Sequence, residues 1–244
     1  MSRLQGKTAV ITGGGTGIGL ATARRFIAEG AFVYLFGRRQ APLDAAVAEL
    51  GPQARAVQGS VTEAADLDRL YAAVKAERGG VDIVFANAGT GAVEALGQLT
   101  DEAYAQTFDT NVKGLILTVQ KALPLMSAGG SIILTGSTTG VMGTAGFSLY
   151  SASKAAVRNL ARSWALDLKG TGIRVNVLSP GPTRTDLAIE VVGEEFIESL
   201  GAGTPIGRIG EPSETAAAVA FLASSDSSFM TGGEVFVDGG LAQV

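Results

Sequence analysis

Tyr150 and Lys154 stand four residues apart in a chain that contains neither histidine nor cysteine. Without imidazole or thiol, proton transfer near neutral pH falls to carboxylates, lysines and tyrosines in special surroundings. Positions i and i+4 of a helix share a face, so the Lys154 ammonium is expected beside the Tyr150 phenol, where it favours the ionised form. A phenol that titrates near ~10 in water then becomes usable as an acid or base. A second cluster occupies residues 12–19, which read Thr-Gly-Gly-Gly-Thr-Gly-Ile-Gly. Gly13, Gly17 and Gly19 fall where a first strand turns into a first helix. Such a turn aims backbone N–H groups and the positive end of the helix at a ligand, and the missing Cβ atoms admit a pyrophosphate. This is a dinucleotide cradle. The adenosine ribose of a cofactor held there lies beside the end of the second strand, where an acidic residue would repel a 2′-phosphate. The chain has Gly37-Arg38-Arg39 at that place. Glycine leaves room and a guanidinium binds a 2′-phosphate bidentately, which points to NADP(H), with Arg38 preferred over Arg39.

These groups need a sheet whose strand ends share one edge. Short apolar runs alternate with longer amphipathic segments, and that alternation predicts an α/β fold with a parallel sheet and helices on both faces. Strands are expected over 8–12, 32–36, 55–58, 83–86, 131–136, 174–178 and 235–237. Helices are expected around 18–29, 42–50, 63–78, 101–126, 151–169 and 212–223. The stretch 182–209, with scattered apolar residues and four glycines, reads as an excursion from the sheet that serves as a substrate lid.

Hydrophobic residues make 46% of the 244 and charged residues 17%, a globular composition of a length common for one α/β domain. The net charge of −4 offers no basic field for a phosphate backbone, so nucleic acid is not an expected partner. The first residues lack the apolar stretch of a signal peptide, and no span of ~20 apolar residues follows, so the expectation is a soluble, cytoplasmic protein without a membrane partner. The absence of Cys and His removes disulfides, thiolate zinc sites and the usual catalytic zinc ligands, which excludes the zinc-dependent alcohol dehydrogenases and leaves no metal site expected.

Thr12-Gly13-x3-Gly17-Ile18-Gly19, Asn87-Ala88-Gly89, Asn111, Ser137, Tyr150-x3-Lys154 and Pro180-Gly181 occur in the order and spacing of the short-chain dehydrogenases/reductases. The resemblance covers the whole chain, including an ending from Thr231-Gly232-Gly233 through Asp238-Gly239-Gly240. The spacing from tyrosine to lysine resembles the main single-domain branch, not the enoyl reductases. Within that branch the chain is most similar to bacterial NADP-dependent secondary-alcohol dehydrogenases that accept bulky ketones. The fold implied is a single-domain Rossmann-type doubly wound parallel sheet of about seven strands.

The resemblance also assigns roles. Tyr150 gives its proton to a carbonyl oxygen and takes it back in the alcohol direction. Lys154 stabilises the phenolate and bonds the nicotinamide ribose, and Ser137 bonds the substrate oxygen. Asn111 bonds through its side chain, or kinks its helix to hold a water against Lys154. Gly13, Thr16, Gly17, Ile18 and Gly19 line the pyrophosphate, and Asn87, Ala88 and Gly89 lie against the adenosine side. Pro180, Gly181, Thr183 and Thr185 line the nicotinamide, the Thr185 hydroxyl bonding its carboxamide. Ser60, before Val61, replaces the family's common Asp, which puts the adenine contact in doubt; Thr183 replaces a usual aliphatic residue.

A wall of Thr138, Thr139, Val141, Met142 and Phe147, with Leu187, Val191 and Phe196 from the lid, suits an uncharged ketone or secondary alcohol. A 3-oxoacyl carrier-protein reductase shares every motif, although Ser127-Ala128-Gly129-Gly130 stands where those enzymes place basic residues. Arg184 could meet an acidic group on a substrate, or stand as a surface arginine of the lid. A non-catalytic cofactor-sensing protein of this fold typically loses the tyrosine or lysine that this chain keeps. The run 216–223, apolar all round a helix, implies burial on both faces, and the family implies a homotetramer.

Overall fold

The computed structural model describes residues 2–244. Seven strands run in parallel: β1 (Thr8–Thr12), β2 (Phe32–Gly37), β3 (Ala54–Gln58), β4 (Val81–Ala86), β5 (Met126–Thr135), β6 (Arg174–Pro180) and β7 (Glu234–Val237), in the order β3-β2-β1-β4-β5-β6-β7. The chain winds outward from β1 to β3, then returns beside β1 with β4 and winds the other way. This is the seven-stranded doubly wound sheet expected.

Alternation along each strand sorts side chains into two cores. Val10, Tyr34, Phe36, Val84, Ala86, Ile132 and Leu134 face α3 (Ala64–Arg78), α5 (Gly114–Ala122) and α6 (Ser148–Asp167). Their neighbours Ala9, Ile11, Val33, Leu35, Ile83, Phe85 and Ile133 face α1 (Gly17–Ala28), α2 (Gln40–Leu50) and α9 (Pro212–Ala223). Each fully buried Val, Leu, Ile or Phe stabilises this sandwich by roughly 1.5–3 kcal/mol. With apolar side chains on both faces the central strands read as near-continuous apolar runs.

Two elements depart from the sequence expectation. The helix expected over 101–126 is split into α4 (Asp101–Phe108), a π turn over Asp109–Lys113, and α5. The fifth strand begins at Met126 instead of 131, because Met126 pairs with Val81 and a register irregularity takes up Ser127 to Gly130 before Ser131 meets Ile83. Gly129, at φ 89°, allows that bulge. The excursion 182–209 contains α7 (Asp186–Val192) and α8 (Glu194–Ala202), and Gly210 bridges back to Thr183. Helix α9 buries Ala216, Val219, Ala220, Leu222 and Ala223, while Ala217, Ala218 and Phe221 stay partly exposed on its other side. Among the described residues no helix is long and apolar enough to cross a membrane.

Candidate active site

All seven strands being parallel, Thr12, Ala86, Thr135 and Pro180 end at one edge, and the winding reverses between β1 and β4. Ligands of open α/β sheets bind in the crevice outside such a reversal. The Thr12 hydroxyl locks it by accepting from the backbone N–H of Asn87 and of Ala88, both at 3.0 Å, and Asn87 Nδ2 donates to the Thr12 carbonyl at 3.0 Å. A Cβ on Gly19 would lie 2.2 Å from the Gly13 carbonyl oxygen, and one on Gly13 would lie 3.0 Å from Asn87 Nδ2. Gly13 and Gly17 have φ of 65° and 53°, in the left-handed region. Thr16 precedes α1 in extended conformation, and Ile18 in its first turn packs on the α1 core. The turn is thus open to an anion and closed to side chains, as a pyrophosphate cradle requires.

Tyr150 and Lys154 occupy the first turns of α6, with the Lys154 nitrogen 5.4 Å from the Tyr150 ring centroid. Lys154 is buried and donates to the Thr135 carbonyl at 2.8 Å. Burial brings its ammonium down to about 8. Burial also raises the Tyr150 phenol, and a hydrogen bond from Ser137 pulls it the other way. Desolvation is the larger influence on Tyr150 and the opposing one is Ser137, while the Lys154 ammonium stands beside the ring where the spacing put it. Ser137 follows β5, is buried, and caps the short turn Thr138–Gly140, its Oγ accepting from Thr139 N–H at 3.3 Å and from Thr139 Oγ1 at 3.1 Å.

Asn111 sits in the π turn, and both ends of its side chain are bonded. Its Oδ1 accepts from Thr90 N–H at 2.8 Å, while Nδ2 donates to the Thr90 carbonyl at 2.8 Å and to Ser153 Oγ at 3.0 Å. Ser153 in turn donates to the Tyr150 carbonyl at 2.7 Å. Of the two options the sequence left open for Asn111, both side-chain bonding and a helix irregularity are present. Gly89 lies between them: a Cβ there would be 3.4 Å from Asn111 Oδ1 and 3.6 Å from Lys154 Nζ.

At the end of β2, Gly37 is open, a Cβ there meeting nothing nearer than Leu43 at 3.9 Å. Arg38 and Arg39 are exposed, and among the described residues neither guanidinium has a carboxylate partner. Ser60 is occupied locally, its Oγ 2.8 Å from Thr62 Oγ1 and its N–H donating to Asp66 at 2.8 Å. Val61 is buried against Gly114. Pro180 pairs with Val237, and a Cβ on Gly181 would lie 2.6 Å from Asp238 Cα, so the turn after β6 has no room for a side chain. Thr183 is buried, its hydroxyl donating to the Gly181 carbonyl at 3.0 Å. Thr185 caps α7 by accepting from Ala188 N–H at 3.1 Å, which leaves its hydrogen to donate, and its methyl lies 3.3 Å from where a Cβ on Gly17 would stand.

Arg184 is paired with Glu194, Glu198 and Glu211, which ties the start of the excursion to α8 and to the residue before α9. It belongs to the protein's own ion pairs rather than to a substrate. Val141, Leu187 and Phe196 are exposed, and the Phe147 ring stands edge-on to Tyr150 with centroids 6.2 Å apart. Sequence reasoning missed Thr90, Gly91 and Ser153, and gave Thr12 no role of its own. Gly91 lies under the Tyr150 ring, where a Cβ would meet Cδ2 at 2.9 Å. Ser153, three residues after Tyr150 and therefore on the same helix face, carried a readable signal; the others did not. Among the described residues no group of three His, Cys, Asp or Glu could hold a metal.

A family model described as enoyl-(acyl carrier protein) reductase matches residues 13–242. Over 246 residues the chain is 62% identical to an oxidoreductase, asL5, of Sarocladium schorii, covering 100% of this chain and 99% of that one. It is 36% identical to an NADP-dependent (R)-specific alcohol dehydrogenase of Lentilactobacillus kefiri, covering 98% and 97%. It is 35% identical to a 3-oxoacyl-[acyl-carrier-protein] reductase of Thermotoga maritima, covering 98% and 99%. A solved short chain dehydrogenase/reductase family protein superposes with a TM-score of 0.89 at 38% identity, over 99% of this chain and 100% of that one. A glycine turn closed to side chains, a buried Lys154 beside Tyr150, and relatives that match from end to end place the chain in the short-chain dehydrogenase/reductase family, as one of its oxidoreductases.

Proposed function

We propose that this enzyme transfers hydride between NADP(H) and an uncharged, apolar ketone or secondary alcohol. The observation that carries the reading is the buried Lys154, its nitrogen 5.4 Å from the centroid of the Tyr150 ring, on a helix whose start faces the carboxyl edge of the sheet. Gly13, Thr16, Gly17, Ile18 and Gly19 would hold the pyrophosphate, with Asn87 to Gly89 on the adenosine side and Pro180 to Thr185 on the nicotinamide side. Arg38, unpaired and next to the open Gly37, would take the 2′-phosphate. When bound, NADPH supplies the hydride. Tyr150 holds its proton at neutral pH because burial raises it, so in reduction it gives that proton to the carbonyl oxygen, while Ser137 donates to the same oxygen. Lys154 lies near enough to stabilise the phenolate left behind and has donors to spare for ribose hydroxyls.

The substrate class follows from the walls. The exposed Val141, Leu187 and Phe196 are apolar, and the two arginines of the excursion, Arg184 and Arg208, are both paired with carboxylates. A 3-oxoacyl thioester is the second reading, since the reductase named for it is as similar as the alcohol dehydrogenase. Initial rates with NADPH across a small ketone, a bulky aryl ketone and a 3-oxoacyl thioester test the choice. The bulky ketone should turn over fastest; a faster thioester would establish the second reading, and tight NADPH binding with no turnover would establish a sensor.

A further inference from the structure

We propose that Thr139 is a positioning residue that fixes Ser137 as a hydrogen-bond donor, so that Ser137 and Tyr150 present their hydrogens to one substrate oxygen. A serine hydroxyl has one hydrogen to give and two lone pairs to accept with. Both lone pairs of Ser137 are committed to Thr139, one to its backbone N–H at 3.3 Å and one to its side-chain hydroxyl at 3.1 Å. What remains to Ser137 is its own O–H. The 8% exposure of Ser137 leaves little water to compete for that hydrogen.

Two consequences follow for the proton inventory. Ser137 has no lone pair for the Tyr150 hydrogen, so that hydrogen stays free for a carbonyl oxygen. Once Tyr150 has given its proton up, the Ser137 hydrogen stabilises the phenolate, as a donor should. If Thr139 gave no hydrogen, the Ser137 hydroxyl could turn and accept from Tyr150, and the acid would spend part of its time bonded to the wrong oxygen. The backbone N–H alone would be left to oppose this, at the longer of the two distances. Glycine at 140 lets α6 come this close: a Cβ there would lie 3.1 Å from the Lys154 carbonyl carbon.

This inference rests on the proposed donor role of Ser137, and the test separates the two. Thr139→Val keeps the volume and the backbone N–H but removes the hydroxyl; Thr139→Ser keeps the hydroxyl. Each is compared with Ser137→Ala for kcat and KM in ketone reduction and for the pH profile of alcohol oxidation. Thr139→Val should lower kcat about fivefold to tenfold, the effect of one neutral hydrogen bond, with the ketone KM within about twofold. Its oxidation profile should move to higher pH, because weaker donation to the phenolate raises Tyr150 further. Thr139→Ser should restore both, and Thr139→Val should add nothing in a Ser137→Ala background. Ser137→Ala impaired with Thr139→Val unchanged, or altered in KM alone, overturns the role of Thr139 and leaves Ser137 standing. A loss shared by Thr139→Ser also overturns it, by assigning the effect to the methyl group. Wild-type activity in Ser137→Ala overturns the donor role itself.

Discussion

Tyr150→Phe lowers ketone turnover by about 10²–10⁴-fold while NADPH still binds, because the change removes one oxygen and leaves the ring in place. The ring lies over Gly91, with Phe147 edge-on at 6.2 Å, and neither contact involves the hydroxyl. The helix turn that carries it is held independently, by Ser153 donating to the Tyr150 carbonyl and by Asn111 Nδ2 donating to Ser153. The loss therefore reads as lost proton transfer rather than lost fold. With neither His nor Cys in the chain, the other titratable group beside Tyr150 is Lys154, whose role in this mechanism is to stabilise the phenolate. Nicotinamide fluorescence reports binding and a progress curve reports turnover. A Tyr150→Phe variant that binds NADPH and turns over within tenfold of the wild type would remove Tyr150 from the acid role.

Arg38→Ala weakens NADPH binding by about 10–100-fold and leaves NADH binding nearly unchanged, the scale of a charge-assisted bond to a phosphate. Three features of the β2 end lead to this. The strand stops at Gly37, whose open side leaves space for a phosphate; no carboxylate among the described residues competes for the guanidinium; and no acidic side chain stands at this strand end to repel a 2′-phosphate. Arg39 begins the approach to α2 as its N-cap residue and should have the smaller effect. Dissociation constants for both cofactors, with each arginine replaced, decide the matter. An unchanged ratio of NADPH to NADH affinity in Arg38→Ala would assign both arginines to the surface alone.

How much of this was legible before the fold depends on which interactions are local. The central strands are apolar on both faces and punctuated by Gly and Pro, so period and length located them; β1 matched its expected span at both ends. The π turn at Asn111 was legible only as one of two options for that residue, because the Thr90 backbone that its amide clamps lies 21 residues away. The early start of β5 was hidden for a similar reason. Ser127 to Gly130 look like a turn, and only pairing with Val81 draws Met126 into the sheet.

In the site, spacing foretold that Tyr150 and Lys154 share a helix face, but spacing carries no information on burial, and burial decides the direction in which both titrate. Ser60 illustrates the converse. Its place after β3 was readable, while its engagement with Thr62 and Asp66 required the folded turn. From sequence, Arg184 could meet a substrate or stand as a surface arginine; its three carboxylate partners come from α8 and from the residue before α9.

The most direct measurement is deuterium tracing. NADPH labelled at nicotinamide C4, on one face and then on the other, is incubated with a bulky aryl ketone and the wild-type enzyme, and the product is read by mass spectrometry. The account predicts a secondary alcohol with one deuterium on the carbinol carbon from one of the two labelled cofactors and none from the other. Alcohol that carries no label from either, or no alcohol while NADPH is bound, would contradict it.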